Sequence, residues 1–216
     1  MASQAILSPR AARTRAALIA AGFDLLVERP IDAIPIDDVV AQAGVAKGSF
    51  FNHFADKQAF AEAIAAELRC EVEALVKQAN ADIADPIARI AGGMRAAAGF
   101  ALNHPKRIKV MLRSHGSSTL PTHPLNKGLV HDMHAACAQG LVRAEAEECG
   151  VLYWLGLCQI LMTNLIESQP SQDDAARRIN AMVVLGLTGL GVPEQRATEL
   201  ARTPQPDGCH DQSQRE

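Results

Sequence analysis

Apolar residues along this 216-residue chain recur at steps of three and four, and no segment alternates convincingly in the two-residue rhythm of a strand. That spacing is the period of helices with one face turned to a core, so the pattern predicts an all-α protein. The expected helices run over 11–28, 36–43, 47–53, 57–79, 86–103, 105–113, 125–141, 145–168 and 173–190. In the first, Leu18, Ile19, Phe23, Leu26 and Val27 share a face. Pro30 stops that helix, whereas Pro35, Pro86 and Pro105 stand at helix starts, where a missing N–H costs nothing. Ser, Gly, Thr and Pro gather in 114–124, which predicts a loop, and the polar tail 203–216 is expected to be disordered.

The most informative stretch is Ile36 to Phe54. Gly44 stands where a tight turn needs positive φ, and Val39, Ala43, Val45 and Phe50 are spaced to pack two short helices at a steep angle, which predicts a helix-turn-helix. With the apolar positions sealing that wedge, Lys47, Ser49, Asn52 and His53 are left facing outward from the second helix. For His53 a core position beside Phe54 is the competing reading. Asp56 offers an N-cap to the next helix, with Lys57 in its first turn. A cation there opposes the local helix dipole and suggests an external anion such as a phosphate; an ordinary solvated lysine is the alternative.

Composition narrows the class. Hydrophobic residues make up 48% of the chain but aromatics only 4%, which favours packed, alanine-rich helices. The formal charge of −3 excludes a protein that coats nucleic acid through bulk positive charge. In the first 57 residues six cations, Arg10, Arg13, Arg15, Arg29, Lys47 and Lys57, meet six carboxylates. Arg10, Arg13 and Arg15 precede every acidic residue, so the amino-terminal arm is locally basic and suited to phosphates or a minor groove. Five cysteines without a Cys-x-x-Cys pair fit a reducing compartment, and the opening residues lack the apolar core of a signal peptide, so the expected location is the cytoplasm. The apolar run Val151 to Ile166 is broken by Gly156, Gln159, Thr163 and Asn164 and is read as a buried helix with no membrane role.

The segment VVAQAGVAKGSFFNHFADKQAF, Val39 to Phe60, closely resembles the signature of TetR-family transcriptional regulators. The motif covers about the first 60 residues; beyond it the chain agrees in length, helix count and a pair of apolar carboxy-terminal helices. The resemblance implies a homodimer, paired through those two long helices, that binds a pseudo-palindromic operator in double-stranded DNA. Release of the operator when a small molecule occupies the carboxy-terminal domain is implied with it, most members being repressors. Carried over by position, Lys47, Gly48 and Ser49 begin the recognition helix, and Phe51, Asn52, His53 and Lys57 match backbone-contacting positions. The chain departs from the family pattern in having Phe51 for a tyrosine, Ala46 for a serine N-cap, Pro35 for a hydroxyl residue, and Asp37 and Asp38 near the phosphate path. The implied domains are 1–57 for DNA, 58–202 for effector and dimer, and the tail 203–216.

Candidates for the effector pocket are Met94, Phe100, Met111, His115, His131, His134, Trp154, Cys158 and Met162, a mainly apolar set suited to a hydrophobic or aromatic effector. Packing in an ordinary core explains many of them equally. His131, Asp132, His134 and Cys137 invite a metal-responsive alternative, since such spacings share a helical face, although no paired spacing demands a metal and no cofactor is expected. Phosphate loop, nucleophile elbow and His-Glu-x-x-His are all missing from the sequence, so an enzyme is not expected. A helical carrier of small molecules without DNA binding is the remaining rival.

Overall fold

The computed structural model describes residues 8–113 and 123–202. Among them there are helices and turns and no strand: α1 Pro9–Glu28, α2 Ile36–Ala43, α3 Lys47–Phe51, α4 Lys57–Ala79, α5 Pro86–Asn103, α6 Pro105–Arg113, α7 Lys127–Ala138, α8 Ala146–Ser168, α9 Gln172–Gly189 and α10 Glu194–Arg202. The all-α expectation holds. His115, most of the expected loop and the tail from 203 onward lie outside the described residues.

Of the boundaries that differ from the sequence reading, the three with a clear local cause are set by capping or turn contacts. The Ser8 hydroxyl accepts from the Ala11 amide with Pro9 in the first turn, so α1 starts before Ala11. Helix α3 closes at Phe51 because the His53 amide turns back to the Phe50 carbonyl, at 3.0 Å, leaving Asn52 and His53 in the closing turn. Helix α7 ends at Ala138, and Gly140 at φ 65° lets the Leu141 amide reach the Ala136 carbonyl. Helix α10 was not foreseen: its inward stripe is Ala197 and Ala201 with Leu200 partly buried, too small an apolar signal to stand out after Pro193.

The chain divides into two compact units, one of residues 8–68 and 109–113, the other of 69–108 and 123–202. The first contains α1, α2, α3 and the beginning of α4; α1 packs on α2 and α2 on α3. In the second, α5 is the central element, touching α7, α8, α9 and α10, and α9 packs along α10. Ile87, Ile90, Met94, Met133, Trp154, Leu165, Val183 and Leu187 form its core. Trp154 sits so close to Gly186 that a Cβ there would meet the indole at 2.7 Å, which is why α8 and α9 need a glycine at that crossing. A buried ion pair, Arg89 Nε to Asp132 Oδ1 at 2.8 Å, ties α5 to α7, and the Asn80 amide donates to the Arg89 carbonyl, anchoring the end of α4 to α5.

Helix α8 is the one described helix long and apolar enough to cross a membrane by length and composition, with a mean hydropathy of 1.6. Its Val151, Trp154, Leu161 and Leu165 side chains belong to the core of the second unit, in keeping with a buried-helix reading of that side.

Candidate nucleic-acid interface

The reading unit is held by one aromatic nucleus. Phe50 of α3 is fully buried and stacks edge-on against Phe60 of α4 at 5.1 Å, with Phe54 4.8 Å from Phe60 and 5.6 Å from Phe50. Leu18 and Leu26 of α1 are buried in the same unit. Between α2 and α3 the chain reverses at Gly44, φ 66° and ψ 33°, and the Val45 amide reaches the Val40 carbonyl at 3.0 Å, satisfying a helix-end acceptor. Asp56 caps α4 through the Ala59 amide at 2.7 Å. The wedge and the cap are therefore those the spacing predicts.

With Phe50 turned inward, α3 presents the rest of its surface to solvent. Lys47, Gly48, Phe51 and Asn52 are exposed, while Ser49 and His53 are half-buried. Phe51 leaves 53% of its surface in water, an unusual position for an aromatic ring that nothing in the monomer requires. A Cβ on Gly48 would find open space, so another backbone or a base can approach closely there. The arrangement is a short surface with one cation (Lys47), one aromatic ring (Phe51), one amide (Asn52), one imidazole (His53) and one hydroxyl (Ser49).

Four of the six expected cations are already engaged, Lys47 by Asp37, Arg29 by Asp38, and Lys57 and Arg15 as follows. Lys57 Nζ donates to the carbonyls of Asp32 and Ile34, at 3.0 and 3.1 Å, and so staples the turn between α1 and α2 to the start of α4. One of its three protons remains for an external acceptor. Arg15, read from the sequence as part of a basic arm, pairs with Glu67 at 2.5 Å and lies over the Phe54 ring, 5.6 Å from its centroid. Arg10 and Arg13, exposed on the first turn and a half of α1, have no carboxylate partner among the described residues.

The candidate effector residues fall into separate places. Met94 and Trp154 lie in the core of the second unit with Cys158 packed against it, and Phe100 and Met162 are buried. Met111 belongs to the first unit, and His131 and His134 are exposed on α7 while their neighbour Asp132 turns inward to Arg89. Those two histidines and the aspartate therefore face opposite sides, and among the described residues no group of three His, Cys, Asp or Glu side chains is disposed to hold a metal.

One group near Cys158 escaped the sequence reading: Glu73 of α4. Burial pushes its carboxyl up to about 7, and burial followed by the Glu73 charge pushes the Cys158 thiol up to about 12. Periodicity gives no hint of it, since Glu73 directly follows Val72 and lies about 100° round the helix from the Leu68 and Val72 stripe. An unfolded chain ionises this carboxyl near the ordinary 4.5, whereas the folded chain keeps its proton to about 7. The unfolded state binds fewer protons across that interval, so this group's contribution to stability is lost as pH rises through it. Thermal melts should therefore show Glu73→Gln indistinguishable from the parent near pH 4.5 and increasingly the more stable of the two up to pH 8; a constant difference across that range would show that Glu73 is not held protonated.

A helix-turn-helix unit with an exposed polar and aromatic face is thus followed in the chain by a larger helical unit. Residues 18–64, within the amino-terminal unit, match the family model of bacterial regulatory proteins, tetR family. Solved structures extend the likeness over the whole fold. RolR in complex with resorcinol is 22% identical, with 92% of this chain and 97% of that one covered and a TM-score of 0.61. A tetR family transcription regulator from Shewanella sp. PV-4 is 16% identical over 82% of this chain and 97% of the other, at TM-score 0.70. A gamma-butyrolactone receptor, ArpA-like, is 24% identical over 89% and 96%, at TM-score 0.53. Comparison with curated proteins yields no match. The chain thus has the fold seen in TetR-family transcriptional regulators.

Proposed function

We propose that the protein is a transcriptional repressor acting in the cytoplasm as a homodimer, which binds a pseudo-palindromic operator and leaves it when a small hydrophobic or aromatic molecule enters the carboxy-terminal unit. The observation that carries the reading is the outward face of α3, Lys47, Gly48, Phe51 and Asn52, projecting from a wedge that Phe50 locks from behind. Lys47 approaches guanine or phosphate, Ser49, Asn52 and His53 add polar contacts, and the Phe51 ring suits the methyl group of thymine. Lys57 has one proton left for a phosphate.

The pairing surface is proposed on α8 and α9. Leu152, Ile160 and Leu185 leave 55%, 58% and 64% of their surfaces uncovered, and the position of Gly156 between the two on α8 is open, so a second backbone can come close. A two-fold dimer places two copies of α3 in successive major grooves about 34–36 Å apart or a related spacing. For the effector, Met94, Trp154 and Cys158 are the residues around which a ligand space is proposed, with Phe100 and Met162 beyond. Resorcinol bound to RolR is an aromatic precedent on the same fold. Such a ligand needs a differential affinity of roughly 1–3 kcal/mol between DNA-competent and incompetent states, and α4, which contributes to both compact units, is the proposed lever.

Selection of bound fragments from the source genome tests this directly. A symmetric repeat of two half-sites is expected, bound with steep salt dependence and released by one member of a panel of small phenols and lactones. A purified protein indifferent to every duplex at low salt would end the reading.

A further inference from the structure

Five cations of the first unit are held by the protein itself. Lys47, on the outward face of α3, pairs with Asp37 of α2 at 2.8 Å, with 58% and 68% of the two side chains exposed. Arg29 pairs with Asp38 at 2.9 Å, Arg15 with Glu67, Lys57 caps two carbonyls, and Arg113 donates to the Leu26 carbonyl at 2.8 Å. The Lys47 pair differs from the others because it lies on the surface proposed to meet DNA.

We propose that Asp37 is a specificity-determining residue: it occupies Lys47 in the free protein, so that this lysine contributes to binding only where DNA offers an acceptor able to displace the carboxylate. This rests on the DNA-binding reading above. Three physical points support it. An exposed ion pair is weak because water screens it, so Asp37 holds Lys47 loosely enough to be exchanged for a better partner. A lysine already neutralised by its own carboxylate displaces no net counterion when it meets a random phosphate, so it adds little to non-specific affinity. A guanine edge presents two acceptors at one fixed place, so the exchange depends on that edge being in register with Lys47, as it is on a cognate site. Asp37 also sits in the first turn of α2, where Pro35 supplies no side-chain cap, so the carboxylate is favoured there by the helix dipole whether or not Lys47 is present.

The consequence is a low background on non-cognate DNA. It is achieved at a position where the chain carries a carboxylate on the expected phosphate path, a feature that otherwise looks like a defect in a DNA-binding surface.

The test uses full-length protein, a random-sequence 30-base-pair duplex and the tightest fragment from the genomic selection, with binding followed by fluorescence anisotropy across a salt series. Asp37→Asn should raise affinity for the random duplex by about 3- to 10-fold at low salt and steepen the plot of log K against log salt by about one, the increment for one further phosphate. The selected fragment should gain less, so the ratio between the two falls. Adding Lys47→Ala to Asp37→Asn should return the random-duplex affinity and slope to the parent values. A gain that survives Lys47→Ala would show direct repulsion of DNA by Asp37 and overturn the proposal, as would an Asp37→Asn protein identical to a parent that binds. If parent and variants remain folded by circular dichroism and none binds either duplex, the DNA-binding reading fails and takes this inference with it.

Discussion

Glutamate in place of both Ile160 and Leu185 should convert a dimer into a folded monomer. Each of these side chains leaves more than half its surface uncovered, one on α8 and one on α9, so neither change removes a core contact. In the proposed dimer they are buried against the partner's copies, where an uncompensated carboxylate carries a large desolvation penalty. The second half-site is then no longer held at high effective concentration, and operator affinity should fall by a factor on the order of 100 to 10,000. Light scattering coupled to size exclusion reads the mass, and anisotropy on the selected fragment reads the affinity. A variant that stays dimeric and binds as before would move the pairing surface elsewhere. Unchanged helix content and melting temperature in the monomer would exclude unfolding as the cause.

Phe50→Ala should undo the reading head while sparing the rest. The ring is fully buried and contacts Phe54 and Phe60, so truncation forfeits its burial and leaves a cavity, a cost of about 3–5 kcal/mol. That is comparable with the whole stability of a small domain. DNA binding should be abolished near physiological temperature, and limited proteolysis should cut between α2 and α4 before it reaches the second unit. Phe51→Ala is the informative partner: its ring is exposed, so stability should change little, and any loss of affinity reports a contact with DNA. A Phe50→Ala protein that melts with the parent and still binds would mean that the wedge is not built around this ring.

Much of the reading head was legible because its signals are local. Gly44 has to be left-handed for the chain to reverse within three residues, Asp56 caps through a neighbour three positions on, and Phe50 falls inward because the spacing from Val39 leaves it no other face. Helices α4, α5 and α6 end where expected for the same reason, with prolines opening two of them. Less legible were the partners that cations choose across elements. The sequence puts Arg15 in a basic arm, whereas it meets Glu67, 52 positions away, and Lys57, for which an external anion and plain solvation both stayed open, binds carbonyls 23 and 25 positions before it. Helix α10 was missed because an alanine stripe is visible only once α5 and α9 stand against it.

What is encoded at short range, namely the helical period, the turn at Gly44, the caps and the inward aromatic position, could be read from the order of residues because each depends on neighbours within about one turn. Which side chains remain free to act depended on packing: the Lys47–Asp37 pair, the burial of Glu73 beside Cys158, the opposed directions of Asp132 and its flanking histidines, and the uncovered faces of α8 and α9. Those properties arise from distances between groups remote in sequence, and charge and hydration respond to such distances, which no local pattern records.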